Sequence, residues 1–245
     1  MSPGAIVVTS STPVWYITRA TGLVAIVLLT GTMALGLLSS VRFEAATWPR
    51  YITGALHRNV ALVALVFTGL HVLTAVADSY TPISLLDVVF PFVSAYRPLW
   101  LGLGTVAFDL LVALTVTSLA RTRLGYRSWR LVHWSAYLCW PVAVVHGLGT
   151  GTDTPARWAL WLTAACMALI TGLIVWRLAQ GWPANPGVRA ASAVTLAIVL
   201  LATGVWVANG PLQPGWSKRA GTPSSLLAKA ARAQPSAPAG SRGAP

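Results

Sequence analysis

The chain has four histidines, His57, His71, His133 and His146. All four sit in apolar surroundings. The first two lie near the ends of "LHRNVALVALVFTGLHV" and the second two near the ends of "LVHWSAYLCWPVAVVHGL". An ionisable side chain inside an apolar span is a functional-site hypothesis by default. Within the pairs the separations are 14 residues (71 minus 57) and 13 residues (146 minus 133). At about 1.5 Å of helical rise per residue these are roughly 21 Å and 20 Å along the axis, inside a hydrocarbon core of about 30 Å. Two histidine levels result.

If the two helices run in the same direction, His57 faces His133 at one level and His71 faces His146 at the other. Two imidazoles on different helices can take the two axial positions of a haem iron, with the macrocycle slotted between the helices. Azimuth is a further check. Fourteen residues fall about 40° short of four turns, so His57 and His71 share a face; thirteen miss by about 140°, so His133 and His146 do not share one on a straight helix. Pro141 lies between them and removes a backbone hydrogen bond, which can kink or rewind that helix. Two plainer readings stand beside haem. A lone membrane histidine often only bonds a neighbouring helix, and a zinc or copper pathway is open, although these pairs lack the adjacent Cys, Asp or Glu of a transition-metal cage.

The elements that must hold these residues are membrane spans. Of 245 residues, 56% are hydrophobic and 9% charged, with mean hydropathy +0.68. This composition excludes an ordinary soluble domain. The expected fold is an all-α integral membrane protein, a six-span helical bundle with spans at 14–38, 56–77, 98–119, 131–148, 158–178 and 188–208. The spacing predicts haem binding between spans two and four. A short N-terminal segment (1–13) precedes the transmembrane domain (14–208), and a basic tail (209–245) rich in Pro, Ala and Ser is expected to be disordered. Trp15, Trp100, Trp129, Trp158, Trp176 and Trp206 fall near span ends, where amphipathic rings prefer the headgroup layer. The stretch "ISLLDVVFPFVSAY" (83–96) is too short to span, and is expected to lie on the interface or to re-enter as a cap.

The net charge of +12 sits largely in short loops, so its partners are anionic lipid headgroups and not nucleic acid. Nine Arg residues follow spans one, three and five (42, 50, 58, 121, 123, 127, 130, 177 and 189), against Arg19, Arg97 and Arg157 on the other side before the tail. By the positive-inside rule the odd-numbered loops are cytoplasmic and the N-terminus outside, in a multi-pass plasma-membrane protein. Five further basic residues in the tail oppose this count. The first residues, "MSPGAIVVTSSTPVW", lack a basic n-region, so no cleaved signal peptide is expected. Cys139 and Cys166 fall inside apolar runs and provide neither a disulfide framework nor a CxxCH attachment site.

Haem propionates need basic partners or water. Arg58 and Arg130 are candidates at the inner level and Arg19 at the outer one, with snorkelling to headgroups as the alternative for each. Asp109, mid-span in "VAFDLLVAL", reads either as a relay for protons or redox-linked charge, or as a neutral carboxyl bonded to a Ser or Thr. In "HGLGTGTDTP", Gly147, Gly149 and Gly151 either permit close approach to the outer haem edge or form a flexible turn.

With these residues in place the chain resembles the ferric reductase-like transmembrane domain family, whose histidine arrangement is shared by NADPH oxidases and ferric reductases. The resemblance runs from about residue 15 to 178 through "WYITRATGLVAIVLLTG", "LHRN", "PFVSAYRPLWLGLGT", "RLGYRSWRLVHW" and "VHGLGTGTD", and span 188–208 is additional to it. It implies two b-type haems as cofactors, ligated by His57 with His133 and His71 with His146, and electron transfer across the membrane. The chain departs from the oxidases after span five. It has no GxGxxG on a strand-helix unit, only the short loop "AQGWPANPG". An electron-transfer component of an oxidoreductase is therefore expected, served by a separate flavoprotein or a quinol on the cytoplasmic side and emptied by an outside acceptor. Two alternatives remain: a haem-binding partner subunit of an extracytoplasmic reductase, and a non-redox metal transporter using the four histidines.

Overall fold

The computed structural model describes residues 13–45, 48–79, 81–151, 153–180 and 183–233. Among these residues six helices are long and apolar enough to cross a membrane: α1 (Pro13–Ser40), α2 (Arg50–Ala77), α4 (Pro98–Leu119), the pair α6 (Tyr126–His133) and α7 (Ala136–Thr150) acting as one span, α8 (Arg157–Gln180) and α9 (Pro186–Asn209). Shorter helices are α3 (Leu85–Val89), α5 (Arg121–Leu124), α10 (Trp216–Arg219) and α11 (Ser224–Ala233). The six-span all-α bundle expected from hydropathy is the fold observed. Proline and left-handed residues set several boundaries. Pro98 and Pro186 open α4 and α9, each after a left-handed residue, Arg97 and Asn185, and Gly125 at φ +75° separates α5 from α6.

Several threonines within the apolar spans keep their hydroxyls satisfied by donating back one turn, as Thr21 does to Ile17 O (2.7 Å), Thr30 to Ile26 O (2.7 Å) and Thr68 to Ala64 O (2.7 Å). Two antiparallel hairpins make the core, α1 against α2 and α4 against α6 and α7, with α8 packed on α1 and α9 resting on α8. Ala34, Leu37 and Ile170 bury one apolar cluster, and Leu111, Leu114 and Cys139 another. Trp140 joins the hairpins by donating its indole N–H to Thr30 Oγ1 (2.9 Å). Outward-facing Val66, Leu73, Val116 and Leu201 stay exposed, as lipid-facing residues must.

The fourth span is interrupted, and the interruption lies at Trp134 and Ser135, upstream of Pro141. Here the backbone closes three-residue turns, with Ser135 N–H donating to Val132 O (2.9 Å), Tyr137 to Trp134 O (3.1 Å) and Leu138 to Ser135 O (2.9 Å). A three-residue turn advances about 120° per residue instead of about 100°. The added rotation has the sense that closes the shortfall between His133 and His146.

Residues 83–96 fold back on α4. The Asp87 carboxylate accepts the Ser84 N–H (2.8 Å), Thr105 donates its hydroxyl to Asp87 O (2.7 Å), and Phe92 lies over Gly102, where a Cβ would meet the Phe92 ring at 2.3 Å. The glycine-rich stretch is not a loop: Gly147 and Gly149 belong to the last turns of α7, and Gly149 is bare because Trp100 lies against it, 2.3 Å from where a Cβ would be. Among the described residues Asp109 has no Ser or Thr partner. Its side chain is exposed on the outer side of α4.

The tail also differs from expectation. It is helical at α10 and α11, and only 234–245 of the expected disordered stretch fall outside the described residues. The reason is aromatic docking onto the end of α4 and α7. Trp216 donates its indole N–H to Gly149 O (3.0 Å) and packs with Trp100 and Trp206 at centroid distances of 5.2 Å and 6.1 Å. Arg97, 2% exposed, ties the same corner. Its Nη1 donates to Gly149 O (3.2 Å) and Thr150 O (2.9 Å), its Nε to Thr222 Oγ1 (3.0 Å), and its backbone N–H to Gly221 O (3.1 Å). These bonds hold Arg97 at φ +45°, a costly conformation for a residue with a Cβ.

Arg97→Ala removes the guanidinium donors of this corner and is expected to lower stability by about 3 kcal/mol. Thermal unfolding in detergent together with limited proteolysis checks this: the midpoint falls, and cleavage beyond residue 209 accelerates. An unchanged midpoint and cleavage rate would show that the corner does not hold the tail.

Candidate functional site

The four histidines come together in two pairs. The rings of His57 and His133 have centroids 6.1 Å apart with planes at 74°, and those of His71 and His146 are 6.4 Å apart at 75°. A single metal ion bound between two imidazoles at about 2.0 Å from each Nε2 puts their centroids about 6.3 Å apart. Both pairs have that spacing. No group of three or more His, Cys, Asp or Glu able to hold a metal occurs among the described residues, so neither pair is part of an all-protein cage.

Three of the rings are oriented the same way. His57 Nδ1–H donates to Thr32 O (2.9 Å), His71 Nδ1–H to Thr18 O (2.8 Å) and His146 Nδ1–H to Trp100 O (2.8 Å). Each bond fixes the tautomer and leaves Nε2 as the free lone pair. Four residues beyond each acceptor stands a glycine against the same ring. A Cβ on Gly36 would lie 3.3 Å from His57 Cε1, on Gly22 2.9 Å from His71 Cε1, and on Gly104 2.5 Å from His146 Cε1.

The pattern has a physical cause. A helical carbonyl keeps one lone pair after its intrahelical bond, and the side chain one turn later leans back over it. Glycine at that place uncovers the oxygen and lets the ring approach. On α1 the motif Thr18 to Gly22 recurs as Thr32 to Gly36, offset by the same 14 residues that separate His57 from His71. That repeat was readable in the sequence; the Trp100 and Gly104 equivalent on α4 was not, because nothing repeats it.

His133 is the exception. Its buried Nδ1 has no hydrogen-bond partner among the described residues, and its ring stacks on Trp129 at 4.8 Å and 25°. Positions 114 and 118 of α4, one 14-residue step beyond Trp100 and Gly104, are Leu and Ser. The Ser118 hydroxyl accepts from the Trp129 indole instead (3.2 Å).

The arginines are placed unequally. Arg19 ion-pairs with Asp153 and stacks over Trp15 at 3.9 Å, lining a cavity of about 310 Å³ that also reaches His71, His146, Asp87 and Gly104. Arg58 and Arg130 are exposed beside their histidines, Arg130 lying over Trp134 at 5.3 Å.

Residues 21–144 match the family described as ferric reductase like transmembrane component. The chain is also 29% identical, over 188 residues, to the heme-binding subunit MsrQ of protein-methionine-sulfoxide reductase from Ralstonia nicotianae, covering 75% of this chain and 80% of that protein. No solved structure matches. The match spans half the chain and takes in both hairpins, from the first glycine contact on α1 to the middle of α7: the protein belongs to the ferric reductase like transmembrane component family.

Proposed function

We propose that the chain is a haem-binding membrane subunit that carries electrons between a donor on its arginine-rich side and a separate reductase on the other. The observation that carries this reading is the spacing of the two histidine pairs, each fit for one iron and each without a further protein ligand among the described residues. An iron held by only two protein nitrogens takes its remaining ligands from a macrocycle, which is the chemistry of bis-histidine haem. When bound, haem supplies a one-electron carrier, b-type here because no CxxCH attachment site is present.

The residues of the chain do the rest. His57 with His133, and His71 with His146, would hold the two groups through Nε2. The carbonyls of Thr18, Thr32 and Trp100 set ring orientation and raise ligand basicity. Spans α1, α2, α4 and α7 keep water away from both levels. Arg58 and Arg130 offer positive charge to the anionic edge of the group at the arginine-rich level, and Arg19 at the other, where it would exchange Asp153 for a propionate. The arginine excess of the loops after spans one, three and five supports a cytoplasmic donor side in the plasma membrane, with a flavoprotein or a quinol as donor.

Similarity to a heme-binding reductase subunit favours delivery to a partner over direct reduction of a small acceptor. The pairing of the histidines across helices at two levels favours the haem reading over a metal-transporting one.

A dithionite-reduced minus oxidised spectrum with pyridine haemochrome quantification is expected to give about two b haems per chain, and His71→Ala about one. A protein from haem-replete cells that binds none would sink the proposal. The glycine contacts generate a second expectation. Gly104→Ala drives a methyl into the His146 ring and should weaken haem retention at that level about 10- to 100-fold, whereas Gly54→Ala, with open space around it, should retain both haems. Equal haem content in the two variants would refute the ring-orienting role of Gly104.

A further inference from the structure

Asp109 stands at the centre of α4, which runs from Pro98 to Leu119, and its side chain faces away from the bundle. The buried residues of α4 nearby, Ala107, Leu111 and Leu114, point towards α7 on the opposite side. Asp109 shares its outward face with Val112, Ala113 and Val116, at the three-, four- and seven-residue spacing of one helical stripe. Among the described residues Asp109 has no hydrogen-bond or ion-pair partner. A carboxyl in this place meets hydrocarbon with both of its polar functions unsatisfied, a condition that membrane spans avoid.

Among the described residues no charged side chain at its depth in the bundle complements it. The other charged side chains on the spans belong to the ends or are already paired: Arg19 with Asp153, Arg50 with Glu44, Arg177 with Tyr137, and Arg189 with the carbonyls at the end of α8. A head-to-tail contact between copies would therefore bring no counter-charge to the carboxyl. A two-fold contact would not. A protonated carboxyl has one O–H donor and one carbonyl acceptor, so it is complementary to itself, and a residue on a two-fold axis meets its own copy. Ala113, one turn away, keeps the surface shallow enough for two backbones to approach.

We infer that this face of α4 is a homodimer interface, in which the Asp109 side chains of two copies pair as neutral carboxyls across the axis. The partner is a second copy of this chain, and the contact is polar at its centre and apolar at its rim.

The test uses the full-length protein, first as single molecules in lipid bilayers. Wild type is dimeric; Asp109→Asn, which keeps a donor and an acceptor, stays dimeric; Asp109→Leu raises the dissociation constant about tenfold. Disulfide capture gives an independent readout in native membranes. In a background with Cys139→Ala and Cys166→Ala, Asp109→Cys oxidises to a covalent dimer, because a disulfide needs Cα atoms within about 7 Å. Val194→Cys on the lipid-facing side of α9 does not. A monomeric wild type overturns the inference, as does a dimer that Asp109→Leu leaves intact. Loss of association in Asp109→Asn as well as Asp109→Leu also overturns it, since that pattern requires a cation on a different partner.

Discussion

An imidazole held inside a membrane has two nitrogens to satisfy and no water to do it. In His57, His71 and His146 one nitrogen is bonded to a backbone carbonyl of the neighbouring helix, and that leaves the lone pair of the other free. The carbonyl is available only because the residue one turn later is glycine. Much of the bundle follows from this arrangement. It requires α1 to lie close along α2 over two levels, and α4 to lie close along α7 at one of them. Close approach in turn brings small and threonine residues to the seams, where hydroxyls such as those of Thr21 and Thr30 are absorbed by their own helix.

The two levels are not equivalent. Next to the tail, His71 and His146 are both anchored, and the cavity they line is bounded by the Arg19–Asp153 pair and by Ile83, Asp87, Val88 and Tyr96 of the segment that folds back on α4. Trp100 links these features: its carbonyl orients His146, while its ring packs against Gly149, Trp206 and Trp216. At the arginine-rich level only His57 is anchored by the backbone, and His133 relies on stacking against Trp129 at a helix break. The break brings His133 round to His57, and it leaves the His133 Nδ1 and the Ser135 hydroxyl buried without partners among the described residues. Rotation of the ring into register and satisfaction of its second nitrogen are in conflict here, and register prevails.

The amino-acid sequence by itself determined the class, the six spans and the existence of two histidine levels. Those properties depend on composition and on axial rise, and rise per residue is nearly constant in any α-helix. It also contained the glycine repeat on α1, legible as a 14-residue offset matching that of His57 and His71. Tertiary structure decided everything that depends on rotation about a helix axis or on contact between distant segments. Pro141 suggested a disturbance in span four, but its place at Trp134 and Ser135 is set by backbone bonding that no local rule fixes. Whether Asp109 faces a neighbour or lipid depended on which side of α4 the α7 helix occupies. Arg97 read as one more loop cation until Gly149, Thr150 and Thr222 were brought to it from elsewhere in the chain. Spacing along one helix is a local property of the chain, whereas azimuth and docking are settled only when helices pack.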